Sequence, residues 1–388
     1  MRIALLEVVA MQGGHEVEFD RLIVQSLRTL EYQPVFLVPS NFSFKIDYQA
    51  ETHFLHGGRA IVHSNASPLK RIFLSTLRAL RRVLWFSDAY RIIKEQHIDA
   101  VIIPSATTRF VSSILLSRLR FSPVPIHILI HGIEPKSLRG LIKLTKACQA
   151  YSNIHLNLLT LKHYDELKPF GNVNQIPPQI FTPSYDKHPQ KITRHFPFRL
   201  GFFGWYRKEK NIDLLLDVFS RAKLKVPAQF IIQAVAQGEE DNEALNRLIK
   251  KHEGNPNILF LQKMLIGQEW ENALSAVDAV VLPYAAEWHR YKWSAMLFNA
   301  LGFFKPVLLA DNINPELLQN YPVGETINLD NPSELQSKLE SFVNTFDEKS
   351  RSYSYGLKRI TEDFSPCHFV RRILGNSECI KIFVGTLK

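Results

Sequence analysis

The run from Arg199 to Phe203 ends at Gly204. Arg207, Lys208 and Lys210 follow, and apolar residues then return at helical spacing, at Ile212, Leu215, Leu216 and Phe219. Such a pattern specifies a buried strand, a cationic turn and an amphipathic helix. The same alternation fills the chain. Ile3 to Val9 reads as a first core strand ahead of a helix over Phe19 to Leu30 and a second strand over Pro34 to Val38, and Ile126 to Ile130 reads as another strand. Strands that alternate with helices throughout place the chain in the α/β class.

The cationic turn also carries chemistry. Free backbone N–H groups at a helix start, the positive end of the helix dipole and cationic side chains together favour a phosphate or diphosphate. Arg207 and Lys210 are the candidates for holding it, with Gly204 and Asn211 beside them. A second segment, Asp278 to Ala310, reads as a short apolar strand (Ala279 to Leu282) ending at Pro283-Tyr284. A polar aromatic loop follows, then a helix over Ala295 to Leu301 and a further buried strand after Lys305-Pro306. Trp288, His289, Tyr291 and Trp293 make the loop aromatic, suited to stacking on the C–H face of a ligand or to supporting a cleft wall.

The order of these elements resembles the GT-B glycosyltransferases, specifically the large retaining family four. The turn at Arg207, Lys210 and Asn211 is similar to that family's diphosphate-gripping element in its Arg-x-x-Lys-Asn form, with Trp205 where an arginine more often follows the glycine. Pro283, Tyr284, Asn299-Ala300-Leu301 and Lys305-Pro306-Val307 match the family's strand–loop–helix–strand. Near the N-terminus, Gly13-Gly14-His15-Glu16 resembles its opening glycine loop, and His131 after the Ile126–Ile130 strand matches a histidine that commonly faces the cleft. Val323 to Leu339 resembles the closing strand and turn, and Phe364 to Leu374 the final helix.

The resemblance implies two Rossmann-like α/β domains facing a central cleft, with a C-terminal helix returning to the first. Residues 1–190 would bind the acceptor, 191–365 the nucleotide sugar, and 366–388 would supply the returning helix and tail. The proline-rich passage from Gln175 to Phe198 separates the halves. The implied reaction moves a sugar from a nucleoside-diphosphate sugar, as co-substrate, to a hydroxyl of a lipid-linked or saccharide acceptor with retention. Surface polysaccharide or lipid-linked glycan synthesis is the setting implied. Arg207 and Lys210 would stabilise the departing diphosphate, joined by backbone amides over Ser294, Ala295 and Met296. His131 and Glu16 would orient acceptor or donor, and Glu287 would contact sugar hydroxyls. Tyr291 and Asn299 stand where the family carries two acids, although an Asn299 amide can still hydrogen-bond a ribose hydroxyl. That replacement keeps open a catalytically silent nucleotide- or glycan-binding protein, alongside an epimerase of the same fold.

Composition bounds the rest. The 388 residues are 46% hydrophobic and 22% charged, enough for two cores. Cys148, Cys367 and Cys379 lack metal-ligand spacing, and neither a metal site nor a disulfide framework is expected, which suits a cytoplasmic protein. No apolar run reaches bilayer length. The net charge of +10 calls for an anionic partner. Between Pro68 and Trp85 a helix would place Lys70, Arg71, Arg78, Arg81 and Arg82 on one side. Leu69, Ile72, Phe73, Leu77, Leu80, Val83 and Leu84 would fall on the other. This suits peripheral binding to an anionic membrane, at the inner face, as well as an ordinary core helix. The cations are spread over helices with no nucleic-acid module, so no nucleic-acid partner is expected.

Overall fold

The computed structural model describes residues 1–9, 14–61, 68–184 and 191–375. The chain forms two compact units, one of Met1–Pro178 joined by the segment from Pro366, the other Gln179–Ser365. The second unit begins within the proline-rich passage because its first residues are anchored there: Ile180 N–H donates to Phe364 O, and Phe181 N–H to Phe298 O.

In the first unit the elements run β1 (Arg2–Leu6), α1 (Gly14–Thr29), β2 (Gln33–Pro39), β3 (Glu51–Leu55), α2 (Pro68–Glu95), β4 (Ala100–Ala106) and α3 (Thr108–Leu116). They continue through β5 (Ile126–Ile130), α4 (Pro135–Cys148), β6 (Ile154–Leu159) and β7 (Val173–Ile176). The seven strands pair in parallel in the order β3-β2-β1-β4-β5-β6-β7. Central strands buried on both faces need unbroken apolar runs, and Ile126 to Ile130 supplies one around a buried His127. Leu6, Val35, Val101, Ile128 and Leu156 meet Phe86, Ile114 and Leu141 in one core. Each such side chain, once fully buried, contributes about 1.5–3 kcal/mol.

The second unit runs β8 (Phe198–Trp205), α5 (Ile212–Arg221), β9 (Ala228–Val235), α6 (Glu239–His252), β10 (Ile258–Leu261), α7 (Gln268–Ser275) and β11 (Ala279–Leu282). Then come α8 (Ala295–Gly302), β12 (Val307–Ala310), α9 (Pro315–Asn320), β13 (Gly324–Ile327), α10 (Pro332–Asn344) and α11 (Phe346–Asp363). Its six parallel strands are ordered β10-β9-β8-β11-β12-β13. The apolar positions read at helical spacing are the buried face of α5, namely Ile212, Leu215, Leu216 and Phe219.

The last helix, α12 (Pro366–Ile373), belongs to the first unit, as expected of a returning helix. Phe369 packs edge-on against Phe19 of α1 at 5.6 Å. No helix among the described residues is long and apolar enough to cross a membrane.

In both sheets strand order reverses once, between β1 and β4 and between β8 and β11. Open α/β sheets bind ligands at the carboxyl ends of the strands flanking such a reversal.

Candidate functional site

The reversal in the second sheet coincides with the cationic turn. β8 ends at Trp205, and Arg207 introduces a single 3₁₀ turn over Lys208–Lys210 that leads into α5. Gly204 has φ of +127°, a conformation an L side chain resists. Its N–H donates to Gln233 Oε1 at 3.1 Å, and Gln233 Nε2 donates to Lys263 O at 2.6 Å. Asn211 takes the left-handed conformation and donates from Nδ2 to Pro283 O at 3.4 Å. Across the reversal, Ala285 N–H donates to Glu209 O at 3.0 Å. The turns after β8 and β11 are therefore stitched together by backbone groups.

Lys210 stands over two aromatic faces, its Nζ 4.9 Å from the Tyr284 ring and 5.6 Å from that of Phe202. Among the described residues its ammonium has no ion pair or hydrogen bond. Burial, with Arg207 adding repulsion against a weaker pull from Glu209, lowers its pKa to about 8. Arg207 is half-buried, 3.8 Å from Glu209 Oε1. Lys210 is thus mainly charged at neutral pH, and among the described residues the one anionic partner of Arg207 is the long contact to Glu209. Tyr284 is buried, which raises its phenol pKa and keeps it neutral.

The loop after β11 holds a 3₁₀ turn, Glu287–Arg290. Glu287 is exposed, as the first residue of that turn. α8 then begins at the same edge of the sheet. Ser294 caps it, its Oγ accepting from Leu297 N–H at 3.4 Å. Of the three amides expected to be available, that of Ser294 is already used, donating to Asn314 Oδ1 at 3.2 Å. Those of Ala295 and Met296 have no acceptor among the described residues.

Asn299 is engaged within its own unit. It is 6% exposed, its Nδ2 donates to Ala295 O at 2.8 Å, and its Oδ1 accepts from Trp270 Nε1 at 3.3 Å. Its amide ties α8 to α7. Nothing in the local sequence signals this, because Trp270 lies on a different helix.

In the first unit the reversal gathers a separate set of titratable groups. Gly13 lies outside the described residues, and Gly14 opens α1. Glu16, in the first turn of α1, pairs with His15 Nδ1 at 3.0 Å. His131 follows β5 and donates from Nε2 to Pro104 O at 2.7 Å, which fixes its tautomer. Burial holds its pKa down at about 4, against that hydrogen bond and with some help from His15. The sequence reading passed over Glu7, just beyond β1. Its Oε1 accepts from Val9 N–H at 2.6 Å, its Oε2 has no partner among the described residues, and burial first, then Glu16, raises its pKa to about 8. A lone acid inside the apolar run Leu5-Leu6-Glu7-Val8-Val9 is the signal that could have found it.

Among the described residues no group of three or more His, Cys, Asp or Glu side chains is placed to hold a metal ion. No protein-family profile matches the sequence, and no curated protein matches it. Solved structures do. A glycosyltransferase from Rickettsia africae ESF-5 matches with a TM-score of 0.67 at 13% identity, over 97% of this chain and 100% of that one. Anabaena Alr3699/HepE, in complex with UDP and glucose, matches at 0.63 and 14%, over 97% and 99%. The fold is GT-B. The lipopolysaccharide outer core galactosyltransferase WaaB extends the likeness, at 0.60 and 14%, over 98% and 100%. In this GT-B chain the cationic turn stands at the reversal of the second sheet, and Tyr291 and Asn299 lie in the loop and helix that follow β11.

Proposed function

We propose that the protein is a glycosyltransferase that binds a nucleoside-diphosphate sugar in its second unit. The observation carrying this reading is the pair of cations Arg207 and Lys210 at the strand reversal, Lys210 with no anionic partner among the described residues and Arg207 with only the long contact to Glu209, on the sheet edge where α8 starts with the amides of Ala295 and Met296. A diphosphate is the ligand that such a set of donors fits. HepE's complex with UDP and glucose supports a uridine nucleotide as the first one to try.

In the proposed reaction the bond from the sugar C1 to the diphosphate oxygen breaks, its electron pair leaving with the diphosphate. The acceptor oxygen bonds to C1, and its proton passes to the departing phosphate. Negative charge grows where Arg207 and Lys210 stand, so fixed cations there lower the barrier. Attack from the leaving-group side retains configuration, as in the family-four enzymes this chain resembles. Gly204, Asn211, Pro283 and Tyr284 shape the site, and Glu287 reaches the sugar from the solvent side. Glu16 and His131, in the first unit, keep the role the resemblance implies, orienting the acceptor or the donor. Asn299 acts structurally.

A membrane-borne acceptor is supported by α2. Much of its expected apolar face ahead of Trp85 is exposed: Ile72 and Phe73 are each 66% exposed, and Leu80 and Leu84 more than half exposed. Core packing starts at Trp85 and Phe86. Lys70 and Arg78 are exposed beside these residues, whereas Arg81 is tied to the Arg59 carbonyl and Arg82 lies over the Phe110 ring. Nothing is described of the Arg71 side chain. Exposed apolar groups with cations among them suit the headgroup boundary of an anionic bilayer, and a lipid-linked acceptor would be met there.

Release of UDP, GDP or ADP from the matching sugar nucleotides, assayed with membrane extract as acceptor source, tests the reading. Release that requires extract supports transfer. Binding without release from any donor would instead favour a silent nucleotide-binding protein, and conversion of the donor without extract an epimerase.

A further inference from the structure

His289 sits in the loop after β11, and the chemistry proposed above uses none of its atoms. It is 5% exposed, and its Nε2 has no hydrogen-bond partner among the described residues. The ring is held between aromatic neighbours, its centroid 3.6 Å from that of Trp288 and 4.8 Å from that of Tyr284. Tyr284 is also the ring beneath the Lys210 ammonium, so the imidazole and the ammonium share one aromatic platform.

The charged groups acting on His289 are all cations: Lys210 and Arg207 from the turn after β8, and Lys292 from its own loop. The titratable group packed on its face is the neutral Tyr284 phenol. Burial first, then these three cations, pushes the imidazole pKa down to about 4, so the ring is neutral at physiological pH and carries one N–H. A buried ring nitrogen without a partner is costly to keep. Packing alone would be served as well by phenylalanine. An anion drawn in between Lys210 and Arg207 would supply the missing partner, and a neutral N–H adds to its binding without crowding a fourth positive charge into the site.

We propose that His289 is an anion-binding residue of this site, donating a ring N–H to the diphosphate held by Arg207 and Lys210. The assignment rests on the nucleotide-sugar reading above and deepens it: recognition of the diphosphate is shared by both turns at the reversal, with a neutral donor packed on the Tyr284 ring that also carries Lys210. It also gives the aromatic loop a polar task in addition to any stacking on the sugar.

The test compares wild type, His289→Phe and His289→Gln by calorimetric titration with UDP, GDP and ADP in turn, and with the corresponding monophosphates. Melting curves establish that each variant is folded. The expected result is a loss of about ten-fold or more in diphosphate affinity for His289→Phe, a smaller loss for the monophosphate, and recovery in His289→Gln, whose amide restores an N–H. Equal diphosphate affinity in wild type and a folded His289→Phe overturns the assignment while leaving the nucleotide-sugar site standing. Absence of binding by folded wild type overturns both.

Discussion

The amide of Ala285 donates to the carbonyl of Glu209 at 3.0 Å, joining the loop that leaves β11 to the turn that leaves β8. These positions are far apart in sequence, and their bond anchors the turn that carries Lys210. Because Asn211 Nδ2 also reaches Pro283 O, the cationic turn is held at two points against the neighbouring strand's exit. A site held this way meets a charged ligand with little rearrangement.

Lys210, with its pKa lowered to about 8, is mainly protonated at pH 7 and loses its charge as pH rises through that value. Nucleoside-diphosphate affinity should therefore be level from about pH 6.5 to 7.5 and fall by up to roughly ten-fold per pH unit above about 8. Lys210→Arg, which stays charged, should flatten the profile. Calorimetric titrations across the range read this directly.

Gly204→Ala should lower stability by about 1–3 kcal/mol, because φ of +127° is strained for any residue with a Cβ. The added Cβ would also stand 3.4 Å from Lys210 Nζ, a contact that a flexible side chain can relieve by moving. Denaturant unfolding, with nucleotide affinity measured alongside, should show a loss in both.

Asn299→Ala removes the acceptor of the half-buried Trp270 N–H. A stability loss of about 1–3 kcal/mol is expected, with nucleoside-diphosphate affinity in the folded protein changed less than two-fold. A selective loss of nucleotide affinity would return Asn299 to the ligand-binding role that its place in the sequence suggested.

Much of the fold was legible because buried parallel strands need continuous apolar runs, and this chain punctuates them with Gly204, Pro283 and Lys305-Pro306. The strand–turn–helix at Arg199 to Phe219 was readable for the same reason, since its periodicity changes abruptly at the cations. The surroundings of Asn299 and His289 were less readable because they include side chains brought in by other elements, Trp270 in one case and Lys210 and Arg207 in the other. The apolar face of α2 illustrates a different limit. Periodicity identifies the face, but what covers it depends on where neighbouring elements end, and here core contact begins only at Trp85.

Replacing Ile72 and Phe73 with serine should weaken binding to vesicles containing anionic lipid without changing nucleotide affinity. Arg78→Glu should weaken it further at low salt, each cation near such a surface being worth about 1 kcal/mol. Flotation with anionic and with neutral vesicles measures both effects, and equal flotation of all variants would leave α2 with no membrane role.

The most direct test of the central claim is titration of purified protein with UDP, GDP and ADP, comparing wild type with Arg207→Ala/Lys210→Ala. The account predicts that wild type binds at least one of them and that the folded double variant loses at least a hundred-fold in affinity, since two charge-assisted contacts are removed. Undiminished binding by the double variant, or no binding by folded wild type, would contradict it.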